Sequence, residues 1–181
     1  LEAYSCDVLD CSGGHPEWHI KGDAIKEAYG GKYDLMIAHP PCTYLAVSGN
    51  RWLYNKDKTK NKERWKNREL ALDFVRELMN APIKKIAIEN PVSCISSQIR
   101  KPDQIIQPYM FGDEATKTTC LWLKNLPKLT PTNIVGKGEF KITKGGNKLP
   151  SWYNLPPSPM RSKIRSKTFK GIARAIAEQW Q

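Results

Sequence analysis

Two apolar runs with a helical stripe between them constrain the fold of this chain more than any other feature. Residues 33–39 read YDLMIAH and residues 84–90 read KKIAIEN, and each is a short, continuous apolar run typical of a buried strand. Between them, apolar residues recur at helical spacing over Arg64–Asn80, and Ala81-Pro82 ends that predicted helix. Strand, helix and strand, with both strands buried, predict an α/β fold with a mostly parallel sheet.

Weaker patterns predict further elements on both sides of this unit. Strands are expected at Ala3–Val8, His19–Asp23 and Thr119–Lys124, and a closing helix at Thr168–Trp180. Prolines and glycines accumulate over 124–167, which predicts a long irregular excursion with one hairpin. The length of 181 residues suits one domain, so we predict a single domain over 1–181 that contains this excursion.

The cysteines and the hydropathy narrow the cellular setting. The five cysteines are scattered and form no C-x-x-C pair, which favours free thiols in a reducing cytosol over a disulfide framework or a zinc site. No apolar run is long enough to cross a membrane, and no signal peptide is visible. We therefore expect a cytoplasmic protein with no metal and no membrane contact, and the oligomeric state stays open.

The net charge of +11 is concentrated in two segments. Arg51–Arg68 holds eight Lys or Arg against two acids, and Arg161–Arg174 holds six against none, so the rest of the chain sums to −1. Such concentrated positive charge favours a polyanion partner, most often nucleic acid. The alternative is that both segments are only solvated, lysine-rich surfaces.

Polar groups follow three of the predicted strands. They are Asp7, the His39–Cys42 stretch and Glu89-Asn90. In an open parallel sheet, ligands bind outside the carboxyl ends of the strands, so all three ends are expected at one edge. Because Pro40 and Pro41 fix the backbone, the turn should hold one shape and present the Cys42 thiol to a cleft. The alternative is that Cys42 is a small buried residue after a turn; His39 is expected to be a packed turn residue.

A thiol and a carboxyl group at adjacent strand ends suit the activation of a pyrimidine. A thiolate adds to carbon-6 of the ring only if the developing negative charge is neutralised near N3 and the carbonyl oxygen. A partly buried glutamic acid is able to keep its proton near neutral pH and to supply that neutralisation. The addition makes carbon-5 nucleophilic enough to attack a methyl donor.

Two stretches resemble motifs of the DNA (cytosine-5) methyltransferases. HPPCTYLAVSGNRW (His39–Trp52) is similar to their Pro-Pro-Cys motif, and IENP (Ile88–Pro91) to their Glu-Asn-Val motif. The chain resembles small phage- and prophage-type cytosine methyltransferases more closely, through QPYMFG (Gln107–Gly112), TCLWLKNLP (Thr119–Pro127) and RSKTF (Arg165–Phe169). That closer resemblance covers nearly the whole chain. It implies a Rossmann-like methyltransferase fold, S-adenosylmethionine as cofactor, and DNA with one base flipped out of the helix.

The resemblance also implies roles for single residues. Cys42 would be the nucleophile and Glu89 the group that acts on N3 of the base. Asp7 would hold the ribose hydroxyls of the cofactor and Asp23 its adenine amino group. Pro40, with its neighbour, would shape the loop beside the cofactor.

Further residues are expected on the substrate side. Asn90 would support the Glu89 turn next to the base, and the segment after the nucleophile would close over DNA through Arg51, Lys56 and Lys58. The arginine that the family places against the base has no clear counterpart, and Lys117 is the substitute we predict. Lys124 is a second, weaker candidate.

Two departures from the family keep other functions open. The chain begins at what would be the second strand, so we expect the first strand and its glycine loop to be lacking, and cofactor binding to be weak. Only 124–167 is long enough to serve as a target-recognition region. The alternatives are a catalytically incomplete methyltransferase fold that binds nucleic acid, and a thymidylate synthase-like enzyme that modifies pyrimidine nucleotides.

Overall fold

The computed structural model describes residues 2–143, 145–151, 155–158 and 160–181. The helices are α1 (Ala24–Ala28), α2 (Lys62–Asn80), α3 (Ile95–Gln98), α4 (Arg161–Ser166) and α5 (Lys170–Gln179). The strands are β1 (Ser5–Asp7), β2 (His19–Lys21), β3 (Leu35–Ala38), β4 (Lys85–Asn90), β5 (Gln104–Ile106), β6 (Thr119–Lys124), β7 (Phe140–Ile142) and β8 (Lys148–Pro150).

The strands of the described residues divide among three sheets. β1 and β2 form a parallel pair, β7 and β8 form an antiparallel hairpin, and the remaining strands form a mixed sheet in the order β3-β4-β6-β5. The predicted α/β class is confirmed, but a single, mostly parallel sheet is not what forms. The reason is that, within the described residues, β1 pairs only with β2 and β3 only with β4, so β1 and β3 are edge strands that do not hydrogen-bond to each other.

The chain folds as two compact units. The first comprises Leu1–Asp103 and Leu121–Leu126, and the second comprises Gln104–Cys120 and Pro127–Gln181. All the sequence-predicted site residues except Lys117 belong to the first unit.

The βαβ unit of the first compact unit forms as the sequence predicts. Asn61 caps α2, because its side-chain oxygen accepts a hydrogen bond from the Arg64 backbone N–H at 3.0 Å. Leu72, Val75 and Leu78 form the buried stripe of the helix, which packs against β4. β3 and β4 pair in parallel, with Ala38 opposite Ile88. That register brings the residues that follow, His39 and Glu89, to the same edge of the sheet.

The second compact unit contains the excursion and the closing helix. The expected hairpin is β7–β8, whereas α4 was not predicted. Helix α5 buries Ile172 and Ala175, and the indole N–H of Trp180 donates to the Pro127 carbonyl at 2.9 Å. A side chain at Gly171 would place its Cβ only 1.8 Å from the Phe111 carbonyl oxygen, so this helix position requires glycine.

Candidate active site at the ends of β3 and β4

Cys42 lies in a tight turn that begins four residues after β3. Its carbonyl accepts hydrogen bonds from the backbone N–H groups of Leu45 at 3.1 Å and Ala46 at 2.9 Å. Leu45 is fully buried and anchors the turn, whereas Cys42 is exposed and forms no disulfide. The turn therefore presents a free thiol at the surface, and the alternative of a small buried cysteine does not describe this residue.

Two arginines of α2 donate hydrogen bonds to backbone carbonyls of this turn. The guanidinium of Arg64 donates to the Thr43 carbonyl at 2.7 Å, and that of Arg68 donates through Nε to the Tyr44 carbonyl at 3.0 Å. Arg68 is only 7% exposed. The sequence grouped both residues with a predicted DNA-binding segment, but their guanidinium groups are engaged in fixing the Cys42 turn.

The end of β4 fastens the same turn. Asn90 is buried, and its side-chain N–H donates to the Pro40 carbonyl at 2.8 Å. Beyond it, the Cys94 N–H donates to the Leu45 carbonyl at 2.9 Å. Asn90 was expected to support the Glu89 turn; its side chain bonds to the Pro40 loop instead, and burial leaves it little surface for a substrate.

Glu89 lies beside His39. Oε2 of Glu89 is 3.0 Å from Nδ1 of His39, and the side chains are 23% and 47% exposed. A packed turn residue was expected at His39, but the ring is exposed and forms a hydrogen bond with the predicted catalytic acid. The strand register creates this pair, since 50 residues separate the two in sequence.

A cavity of about 690 Å³ lies beside β3 and extends to His39, Pro40 and Pro41, but neither Cys42 nor Glu89 is among its lining residues. Its lining includes residues of both β1 and β3, together with the apolar side chains of Phe74 and Leu78 from α2. All three predicted cofactor residues, Asp7, Asp23 and Pro40, line it.

Both predicted cofactor carboxylates also have local structural contacts. Oδ1 of Asp23 caps α1 by accepting from the N–H groups of Ile25 at 2.8 Å and Lys26 at 3.3 Å. Oδ1 of Asp7 accepts from the Leu9 N–H at 2.9 Å. Each carboxylate thus has one oxygen engaged in local hydrogen bonds.

The cavity wall carries a third acid that the sequence analysis did not single out. Glu27 accepts a hydrogen bond from the Tyr33 hydroxyl at 2.6 Å, and this bond raises the pKa of Tyr33 to about 12. Burial, together with the charge of Glu27, raises the pKa of the Cys6 thiol. Glu27 follows no motif, so only its position on α1 reveals it. Among the described residues, the lining includes three acids and no Lys or Arg, so the cavity suits the hydroxyl, amino and cationic groups of a ligand.

The residues that were predicted to contact DNA differ in their contacts within the protein. Arg51, Lys56 and Lys58 are exposed. Lys117, in the second compact unit, donates to the Arg165 carbonyl at 3.1 Å and lies 6.0 Å from the centroid of the Phe169 ring. The ammonium group of Lys117 is therefore engaged within the protein.

The second predicted basic segment, Arg161–Arg174, falls in α4 and α5. The side chain of Lys163 lies outside the described part of the segment. Lys124, the weaker candidate for the base contact, donates to the Ala81 carbonyl at 3.1 Å.

Comparisons of the chain with protein-family models, with curated proteins and with solved structures found no match. No helix within the described residues is long and apolar enough to span a membrane. Within the same residues, no group of three His, Cys, Asp or Glu side chains is placed to hold a metal ion.

Proposed function

We propose that the protein is an S-adenosylmethionine-dependent DNA (cytosine-5) methyltransferase with a Rossmann-like methyltransferase fold. The observation that carries the proposal is the attachment of the Cys42 turn to the Glu89-Asn90 strand end through the bond from Asn90 to the Pro40 carbonyl. This bond fastens the loop that leads to the exposed Cys42 thiol to the strand end that carries Glu89, and a thiol and a carboxyl group are the two groups that addition to a pyrimidine uses.

The proposed reaction begins at the thiolate of Cys42, which forms a bond to carbon-6 of a flipped cytosine. The electron pair of the 5,6 double bond moves toward carbon-5, and the carboxylic acid form of Glu89 offsets the developing negative charge by donating its proton to N3, which returns the proton when the double bond is restored. After carbon-5 has gained its methyl group, loss of the carbon-5 proton to a base restores the double bond and releases the thiol. The hydrogen bond between His39 and Glu89 involves Oε2 of Glu89, which leaves Oε1 to interact with the cytosine.

The cavity residues fit the adenosine part of the cofactor. Asp7 and Asp23 offer carboxylate oxygens to hydroxyl and amino groups, while the apolar wall suits a purine ring. When bound, S-adenosylmethionine supplies the methyl group. The five free cysteines agree with a reducing cytosol, bacterial or of a phage-infected host, as the proposed place of action.

Methyl transfer from tritiated S-adenosylmethionine to mixed-sequence DNA tests the proposal. Cys42→Ala should abolish labelling, while Cys94→Ala, which changes a buried thiol, is the matched control and should retain it. Glu89→Gln keeps the shape of the side chain and should reduce labelling by about 10²–10⁴-fold, as expected for loss of a positioned acid. Labelling that survives Cys42→Ala would refute the assigned nucleophile.

A second candidate is a catalytically incomplete methyltransferase fold that binds nucleic acid. The observation that favours it is the separation of β1–β2 from the sheet that carries β3. The cavity between these strands is then a gap in the sheet, and it holds the cofactor poorly. Salt-dependent DNA binding without methyl transfer by the parent protein is the outcome that selects this candidate.

A further inference from the structure

Two large aromatic side chains are exposed in the segment that follows the Cys42 turn. Trp52 is 54% exposed and Tyr54 is 48% exposed, whereas Leu53 between them is only 5% exposed. Aromatic side chains of this size are among the strongest contributors to cores and interfaces, so leaving two of them in water is costly unless a partner covers them. We refer to Trp52 and Tyr54 as the aromatic platform.

The platform is held in place by its neighbours. The Leu53 carbonyl accepts the Asn61 N–H at 2.9 Å and the indole N–H of Trp65 at 3.1 Å. Tyr54 forms an isolated antiparallel bridge with Lys60, and its ring meets the Trp65 ring edge-on at 6.4 Å between centroids. Burial of Leu53 and these bonds therefore force the two flanking aromatic side chains outward.

Positive charge surrounds the platform. The guanidinium of Arg51 lies 4.5 Å from the centroid of the Trp52 ring, and Lys56, Lys58 and Lys60 are exposed on the loop that follows. The single acid of that loop, Asp57, accepts hydrogen bonds from the Thr59 backbone and hydroxyl at 3.0 and 2.6 Å. Cations beside exposed aromatic rings are the pattern by which proteins bind single-stranded nucleic acid, since the bases stack while the phosphates are neutralised.

We propose that the aromatic platform binds unpaired bases of nucleic acid, so that the protein prefers single-stranded or locally opened DNA to intact duplex. This inference deepens the proposed function and rests on its nucleic-acid partner, but it does not depend on methyl transfer. A duplex offers its bases only at its ends, whereas an opened strand offers them along its length to Trp52 and Tyr54.

The experiment compares binding of a fluorescent oligothymidylate with that of a duplex of equal length, by anisotropy. Trp52→Ala should weaken single-strand binding by about 5- to 100-fold, the effect of losing one stacked base, and should change duplex binding little. Trp18→Ala is the matched control, because Trp18 is 53% exposed and stacks on His15, away from the basic segment in sequence. It should leave both affinities unchanged.

A second variant distinguishes loss of base stacking from misfolding. Trp52→Phe keeps an aromatic ring and should retain most of the single-strand affinity, with an unchanged circular dichroism spectrum. Equal losses for Trp52→Ala and Trp18→Ala would overturn the proposal, as would equal losses on single strand and duplex. Vesicles of phosphatidylglycerol form the last arm, and Trp52-dependent binding to them without binding to DNA would also overturn it. Single-strand binding without methyl transfer would refute the proposed enzyme and leave the platform standing.

Discussion

Replacing Arg68 with methionine should destabilise the Cys42 turn by a calculable amount. Methionine keeps an unbranched apolar stem at this buried position of α2 but removes the guanidinium. That group donates to the Tyr44 carbonyl at 3.0 Å and to the Asn50 side chain at 2.6 Å. A hydrogen bond from a charged donor contributes about 1.5–3 kcal/mol. Asn50 is exposed, so water replaces its bond at little cost, whereas the half-buried Tyr44 carbonyl loses its partner.

We therefore expect Arg68→Met to cost about 2 kcal/mol, which is mainly the value of the Tyr44 bond. With a urea dependence of about 2 kcal/mol per molar, this cost lowers the midpoint of urea unfolding by about 1 M. Unfolding monitored by tryptophan fluorescence measures the shift. Lys66→Met is the control, since Lys66 is an exposed cation on the same helix, and an exposed substitution should stay within about 0.5 kcal/mol.

A second measurement connects this cost to the site. Because the guanidinium holds the turn that presents Cys42, its loss should change the rate at which iodoacetamide alkylates that thiol in native protein, while Lys66→Met should not. If Arg68→Met proves as stable as Lys66→Met, the two hydrogen bonds of the buried guanidinium do not hold the turn.

Three further predictions concern charge and ligands. The affinity for DNA should fall as salt rises, with a slope of roughly −4 to −5 in a plot of log affinity against log salt concentration. In an anisotropy titration, neutral substitution of the three exposed cations Arg51, Lys56 and Lys58 should make this slope less steep. Partial burial alone would raise the pKa of Asp103, but hydrogen bonds from the Leu123 N–H and from Arg100 outweigh it and lower that pKa. Asp103 therefore stabilises the fold above its ordinary pKa of 3.8 and less as pH falls through its lowered value, so acid unfolding should be less steep in Asp103→Asn. S-adenosylhomocysteine should bind more weakly than micromolar by calorimetry, because the described residues of the cavity lining include no Lys or Arg for its carboxylate. Micromolar affinity would contradict this prediction.

The sequence alone determined the elements whose periodicity is strong. The run LMIA became β3, the run KIAIEN became β4, and the helical stripe became α2 within two residues of its predicted start. Burial drives these patterns, and burial depends on side chains that are close in sequence. The same locality explains why α4 was not predicted, since its six residues, RSKIRS, have no apolar stripe.

Tertiary structure decided which side chains meet. The pairing of His39 with Glu89, the engagement of Arg64 and Arg68 by the Cys42 turn, and the position of Glu27 in the cavity all join residues that no local pattern connects. In sequence, the basic segment Arg51–Arg68 suggests one charged surface. The helical period of α2 instead points Arg64 and Arg68 toward the Cys42 turn and leaves other cations in water. Likewise, the polar strand ends predicted one shared sheet edge for β1, β3 and β4. In the structure, β1 and β3 belong to different sheets, and residues of both line one cavity. Strand pairing depends on contacts between distant residues, and a single sequence does not encode those contacts in any local period.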